Sequence, residues 1–152
     1  MNLTLESDYA VRIVSCLAAD GKRMDAKAIA EKTCVSLRFS LKILRKLVNA
    51  GFITSFKGTQ GGYTIAKSPF DITLCDVIEA IEGKYVFSRC LESAENPCSR
   101  GMSGMCCYQN AFREITYMVR EKLLEYNFGE LLLKQDKLLE ELRHTSPALV
   151  QK

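Results

Sequence analysis

The chain of 152 residues has no tryptophan, a single histidine, three prolines and no long apolar run. Each shortage excludes something. No stretch approaches the ~18 consecutive apolar residues that a helix needs to cross a bilayer, so no membrane association is expected. The lone His144 lies near the C-terminal end and leaves no Ser–His–Asp or Cys–His set for nucleophilic catalysis. No pair of catalytic acids stands out either, so no enzymatic activity is expected. The first dozen residues carry Glu6 and Asp8 where a secretory leader has a basic start. A cytoplasmic protein is expected, and in that compartment thiols stay reduced. The seven cysteines, an odd number, are then poor material for a disulfide scaffold. They read better as metal ligands or redox sensors.

Net charge is only +3, but its distribution is uneven. Residues 1–66 hold ten Lys and Arg against five Asp and Glu, whereas residues 67–152 hold eleven against thirteen. Residues 32–70 contain seven basic side chains (Lys32, Arg38, Lys42, Arg45, Lys46, Lys57 and Lys67) and no acid. One sign of charge over such a length points to a polyanionic partner. From charge alone, a solvated basic face reads the same way.

Periodicity and capping signals give the elements. Ala10, Ile13, Val14 and Leu17 recur at helical spacing and predict a helix over residues 7–19, stopped at Gly21. Asp25 is a cap for a short second helix over 26–32. Ser36 caps a third, which runs to Ala50 with an inner stripe of Phe39, Ile43, Leu44 and Leu47. Two short helices joined by a tight turn, the second one basic, make a helix-turn-helix. Residues 52–56 and 63–66 read as strands around a turn at 57–62, and a hairpin directly after a helix-turn-helix is a wing. Gly61 and Gly62 are expected to supply positive φ there. Thr73 with Asp76 opens a further short helix that stops at Gly83. Cys16, Cys34 and Cys75 are read as packing residues.

Cys90, Cys98, Cys106 and Cys107 fall in a window with Pro97, Gly101, Gly104 and several serines, which reads as a loop. Next, Tyr108, Phe112, Ile115, Val119, Leu123 and Tyr126 form one stripe on a helix of about 30 Å. That is longer than a small winged domain needs, so it is read as a dimerisation helix; folding back on its own domain is the alternative. Leu131 to Leu142 suggest a short docking helix, with fraying from His144. The expected fold is therefore mainly α with a small β-hairpin. Its parts are a winged helix-turn-helix domain over 1–83, a cysteine-rich loop over 84–107, and a dimerisation helix with docking segment over 108–143.

On the DNA side, Arg38, Lys42 and Arg45 are candidates to face base edges, and Ser36, Ser40 and Lys46 to hold phosphates. Lys57, Gly58, Gln60, Gly61, Gly62 and Tyr63 are the wing candidates. Structural zinc is a weaker reading for the cysteines, because no C-x-x-C spacing exists. A thiol switch at Cys106 or Cys107 is a further option.

The run Asp8-Tyr9-Ala10, the Val35-Ser36-Leu37-Arg38-Phe39 turn, Lys57-Gly58-Thr59-Gln60-Gly61-Gly62-Tyr63 with Ser68-Pro69, and Ile78-Glu79-Ala80-Ile81-Glu82-Gly83 together resemble the Rrf-two family of bacterial winged-helix regulators, with its IscR, NsrR and RirA types. The resemblance implies a homodimer, a recognition helix in the major groove of double-stranded DNA, and a wing in the minor groove. In many members it also implies an iron–sulfur cluster, 4Fe–4S or 2Fe–2S, held by three loop cysteines. Here these are Cys90, Cys98 and either Cys106 or Cys107. The fourth ligand implied by NsrR-like members is Asp8 from the partner subunit; a helix-start acid favoured by the dipole is its other reading. The function so implied is a regulator, in the usual case a repressor, sensing nitric oxide, redox or iron status. A cluster-free regulator controlled by thiol oxidation or a partner protein is the alternative. A small iron–sulfur electron carrier is a third reading, against which the basic helix-turn-helix speaks.

Overall fold

Caps and periods decide the helices much as the residues predict. The computed structural model describes residues 3–58, 61–92, 98 and 100–145. Helix α1 spans Leu5–Asp20 and is capped by Thr4, whose hydroxyl oxygen accepts from the Ser7 N–H. Helix α2, Ala26–Thr33, begins at Asp25, whose carboxylate accepts from the N–H groups of Lys27 and Ala28. Helix α3, Leu37–Asn49, begins at Ser36, whose hydroxyl oxygen accepts from the Phe39 N–H. Strands β1, Ile53–Phe56, and β2, Gly62–Ile65, pair antiparallel with Ile53 opposite Ile65 and Phe56 opposite Gly62. Helix α4, Leu74–Glu82, starts on a reciprocal Thr73–Asp76 capping box. Helices α5, Cys107–Leu124, and α6, Phe128–Thr145, complete the chain.

Helix α1 is the hub, packing on α2, α3, α4, β2 and α6. Ile13, Val14 and Leu17 of α1 are fully buried with Ile29, Ile43, Leu44, Leu47 and Ile72. Each such side chain contributes about 1.5–3 kcal/mol on leaving water. The wing is fastened to this body at Met24, which exchanges both backbone hydrogen bonds with Tyr63, at 2.8 and 2.9 Å. The α5–α6 turn is stitched to the start of α4. Leu74 N–H donates to Tyr126 (2.9 Å), Phe128 N–H donates to Ile72 (2.9 Å), and the Phe128 side chain enters the core.

Four expectations change. Phe39 is 46% exposed and sits edge-to-face on Tyr9, while Ser40 takes its place in the buried stripe of α3. Cys34 is exposed rather than packed, because it closes the turn between α2 and α3 in the left-handed region at φ 54°. In the wing, Gly58 has φ 99° and Gly61 does not have positive φ. Gly61 is required for a different reason: a Cβ there would lie 2.8 Å from the Phe56 carbonyl oxygen. The docking helix is not short, since α6 has 18 residues, the same as α5.

Candidate nucleic-acid interface and cysteine loop

The buried stripe of α3 turns its other side outward. Arg38, Lys42 and Arg45 are exposed there, as are Lys57 and Gly58 at the wing tip. Ser36 is exposed at the helix start, Gly61 and Tyr63 are half-buried, and Gly62 is buried against Met24. Gln60 lies outside the described residues. One of the expected DNA contacts is corrected. The Ser40 side chain is fully buried and its Oγ has no hydrogen-bond partner among the described residues, so it does not offer its hydroxyl to a phosphate. Lys46 is already engaged: its Nζ lies 2.9 Å from Glu6 Oε1 and donates to the Ile81 carbonyl at 3.1 Å.

Glu6 is the residue that sequence reasoning missed. Its other oxygen is 3.1 Å from Lys42 Nζ, so one carboxylate at the start of α1 faces two lysines of α3. The Lys46 ammonium, then Lys42, holds its carboxyl below the ordinary range against the opposing effect of burial. No local signal could have disclosed this pairing, because the partners lie more than 30 residues apart. Glu82 at the end of α4 accepts from the hydroxyls of Ser7 and Thr4, which lowers its own pKa despite burial. Thus the N-terminus of α1 ties α3 to α4. Arg38 and Arg45 make no ion pair among the described residues.

The cysteine loop hangs between α4 and α5. A 3-10 turn at Arg89–Leu91 carries Cys90, and Cys106 is the first residue before α5. Gln109, buried in the first turns of α5, holds both arms of the loop. Its Nε2 donates to the Cys90 carbonyl and its Oε1 accepts from the Gly104 N–H, each at 3.0 Å. Phe87 stacks on Phe112 at 5.5 Å and its N–H donates to Thr116 Oγ1. Below it, Arg120 of α5 makes two hydrogen bonds to Glu79 of α4, at 2.7 and 3.0 Å, and Tyr85 N–H donates to the same carboxylate. Gln109 is a second residue that sequence reasoning did not single out; a polar side chain beside an apolar helix stripe was the available signal.

Donor chemistry and donor placement differ in this loop. All seven cysteines are free thiols; Cys90, Cys98 and Cys106 are half-buried and Cys107 is exposed. The backbone N–H groups of Met102 and then Arg100 hold the Cys98 thiol below its ordinary range, which favours the thiolate that iron binds. By contrast, burial pushes the Cys16 and Cys75 thiols up, as suits packing residues. The thiols therefore fit thiolate ligation of iron. No group of three Cys, His, Asp or Glu side chains is gathered for a metal among the described residues. Asp8 is paired with Arg12 at 2.6 Å on α1.

The known relatives bear on this arrangement directly. The Rrf2 (Rrf-two) family, described as "Iron-dependent Transcriptional regulator", matches residues 3–134. Protein rrf2 of Nitratidesulfovibrio vulgaris is 32% identical over 134 residues, covering 87% of each chain. The HTH-type transcriptional regulator NsrR of Bacillus subtilis is 25% identical over 145 residues, covering 94% of this chain and 98% of its own. Among solved structures, T. potens IscR has a TM-score of 0.73 at 21% identity, covering 91% of this chain and 90% of its own. CymR, the global cysteine regulator of B. subtilis, has a TM-score of 0.67 at 24% identity, covering 88% and 98%. The two structures bear on the fold, and the winged helix is theirs as well. None of these proteins is an enzyme, and no helix among the described residues is long and apolar enough to cross a membrane. A family match over residues 3–134, with 32% identity to a relative covered nearly end to end, means that this chain belongs to the Rrf2 family of winged-helix transcriptional regulators.

Proposed function

We propose that the chain is a cytoplasmic, homodimeric repressor whose cysteine loop takes an iron–sulfur cluster, 2Fe–2S or 4Fe–4S, and so reports nitric oxide, redox or iron status. The observation that carries this reading is the set of free thiols in a loop clamped to α5 by Gln109. Cys90, Cys98 and one of Cys106 and Cys107 would hold the cluster, with Asp8 contributed across the dimer. When bound, the cluster supplies iron that reacts with nitric oxide or oxygen, or is lost when iron is scarce.

The protein's own residues do the rest. A loop ordered on its ligand is held by Gln109 and the Phe87–Phe112 stack, so a change in the loop pulls on the first turns of α5. Arg120 passes that displacement to Glu79 of α4. Glu82 and Glu6 relay it through the start of α1 to Lys42 and Lys46 on the recognition helix. DNA affinity then depends on the state of the loop, because two copies must present their α3 helices one helical turn apart.

The likeness to CymR favours a second reading, in which the acidified Cys98 thiol is itself oxidised and no cluster forms. One experiment separates the two. Wild type and Cys98→Ser are purified anaerobically, and visible absorption and DNA binding are measured before and after removal of iron. The cluster reading expects colour in wild type, none in Cys98→Ser, and at least about a tenfold change in affinity on iron removal, or ~1.4 kcal/mol. Equal affinity of loaded and stripped protein sinks it. A colourless wild type whose binding follows thiol oxidation establishes the second reading.

A further inference from the structure

We propose that Glu6 stands in for a DNA phosphate: in the DNA-free protein its carboxylate occupies Lys42, and a duplex must displace it to use that lysine. The inference rests on the DNA-binding reading and adds to it a built-in brake on affinity. Arg38, Lys42 and Arg45 are spaced four and three apart, so they line one side of α3, and all three are exposed. The two arginines make no ion pair among the described residues. The middle cation differs, since Lys42 Nζ donates to Glu6 Oε2 at 3.1 Å. No acid stands in α3 itself, so the masking comes from the first turn of another helix, α1.

The two lysines at Glu6 have different parts. Lys46 is the anchor: it lies 2.9 Å from Glu6 Oε1, donates to the Ile81 carbonyl at 3.1 Å and is 36% exposed. With that tether in place the fold has little need of a second one. The Lys42 side chain is 57% exposed, and an ion pair so open adds little to stability. It is also readily exchanged, because a phosphate oxygen offers the ammonium the same charge and the same kind of acceptor. The carboxylate itself stays in place, held by Lys46 and favoured by the dipole at the start of α1. Glu6 and its two lysines sum to one positive charge where the lysines alone would give two. Each recognition helix therefore meets DNA with one positive charge fewer than its own residues carry.

The test removes the brake. Duplexes enriched by the wild-type chain from a random pool, and scrambled versions of them, are titrated with wild type, Glu6→Gln, Lys42→Gln and the double variant. Glu140→Gln, at an exposed position on α6, makes the same change of net charge elsewhere. Glu6→Gln is expected to bind about fivefold tighter at about 0.1 M salt, and to steepen the fall of log affinity with log salt by up to about 0.9 per protomer. The gain is expected on both kinds of duplex alike, because phosphate contacts carry no sequence. Lys42→Gln, which leaves the Lys46 tether intact, is expected to weaken binding about threefold, and in the double variant most of the gain disappears. A merely structural Glu6 gives the opposite sign, since loosening α1 from α3 weakens binding. A Glu6→Gln chain of native helical content that binds no tighter overturns the inference. So does a gain undiminished in the double variant, a gain confined to the enriched duplex, or an equal gain in Glu140→Gln. Where Glu6→Gln does not fold, Lys42→Gln decides, and unchanged affinity there overturns the inference. A wild-type chain that enriches no duplex at all overturns the DNA-binding reading itself, which is a distinguishable failure.

Discussion

The body that ends at Gly83 and the two helices that close the chain bury their apolar residues to very different extents. Among the described residues, every buried hydrophobic side chain except Phe128 precedes Gly83. Helix α5 buries only Gln109, and α6 buries only Phe128 and Gly129. The expected stripe of α5 is half-buried at Phe112, Ile115, Val119 and Leu123, partly against its own chain, while Tyr108 is exposed. Off that stripe, Tyr117, Met118 and Leu124 are exposed, and so are Leu133, Leu138 and Leu142 of α6. The first region holds itself together. The second carries an apolar surface that the other described residues leave uncovered, and surfaces of that kind mark interaction sites. A second copy is the proposed cover, since operators read by helix-turn-helix dimers share the two-fold symmetry of the protein.

The comparison breaks most readily at α5. Tyr117→Asp with Leu124→Asp places charge on exposed positions without touching the core. It is expected to weaken self-association at least 100-fold, about 2.7 kcal/mol, with helical content unchanged. Sedimentation at micromolar concentration checks this, and a dimer that persists refutes the proposed face. A smaller effect is expected inside the first region. A Cβ on Gly62 would lie 2.8 Å from the Met24 carbonyl oxygen, which is backbone and cannot yield cheaply. Gly62→Ala is expected to cost about 2 kcal/mol, read as a lower midpoint in urea unfolding. An unchanged midpoint would show the wing to be loose from the body.

The smallest effect tests the joint between the two regions. Glu79→Gln removes the charge that Arg120 grips and is expected to cost about 1 kcal/mol at neutral pH, reduced from a fully buried pair by partial exposure. Arg120 hydrogen bonding, aided by Tyr85 N–H, holds the Glu79 carboxyl below its ordinary value of 4.5, against burial. The unfolded chain therefore binds the proton first, and this stability is present above about pH 4.5 and lost as pH falls through the lowered folded value. Acid unfolding should be less steep in the variant. Identical acid profiles would mean that Glu79 does not hold α5 to α4.

Much of the first region was legible from residues alone. Asp25, Ser36 and the Thr73–Asp76 pair act on N–H groups two or three positions away, so their helices start where the residues say. The exchange of Phe39 for Ser40 was not legible. Neighbouring positions on a helix are 100° apart, and Tyr9 of another helix draws Phe39 outward. The acid-free stretch misled in one respect, since Glu6 comes from outside it to neutralise two of its lysines. For the site, the cysteine loop was visible as composition, whereas Gln109 became visible only when α5 was seen against Cys90 and Gly104.

The sequence by itself determined the order of the elements, the basic character of the recognition helix and wing, and the crowding of thiols into one loop. These depend on neighbours within a few residues and on composition. The tertiary structure alone decided which cations remain unpaired, which side of α3 faces outward, and how α5 is tied to α4 through Arg120 and Glu79. Those depend on charges and side chains brought together from distant parts of the chain, where packing rather than spacing chooses the partner.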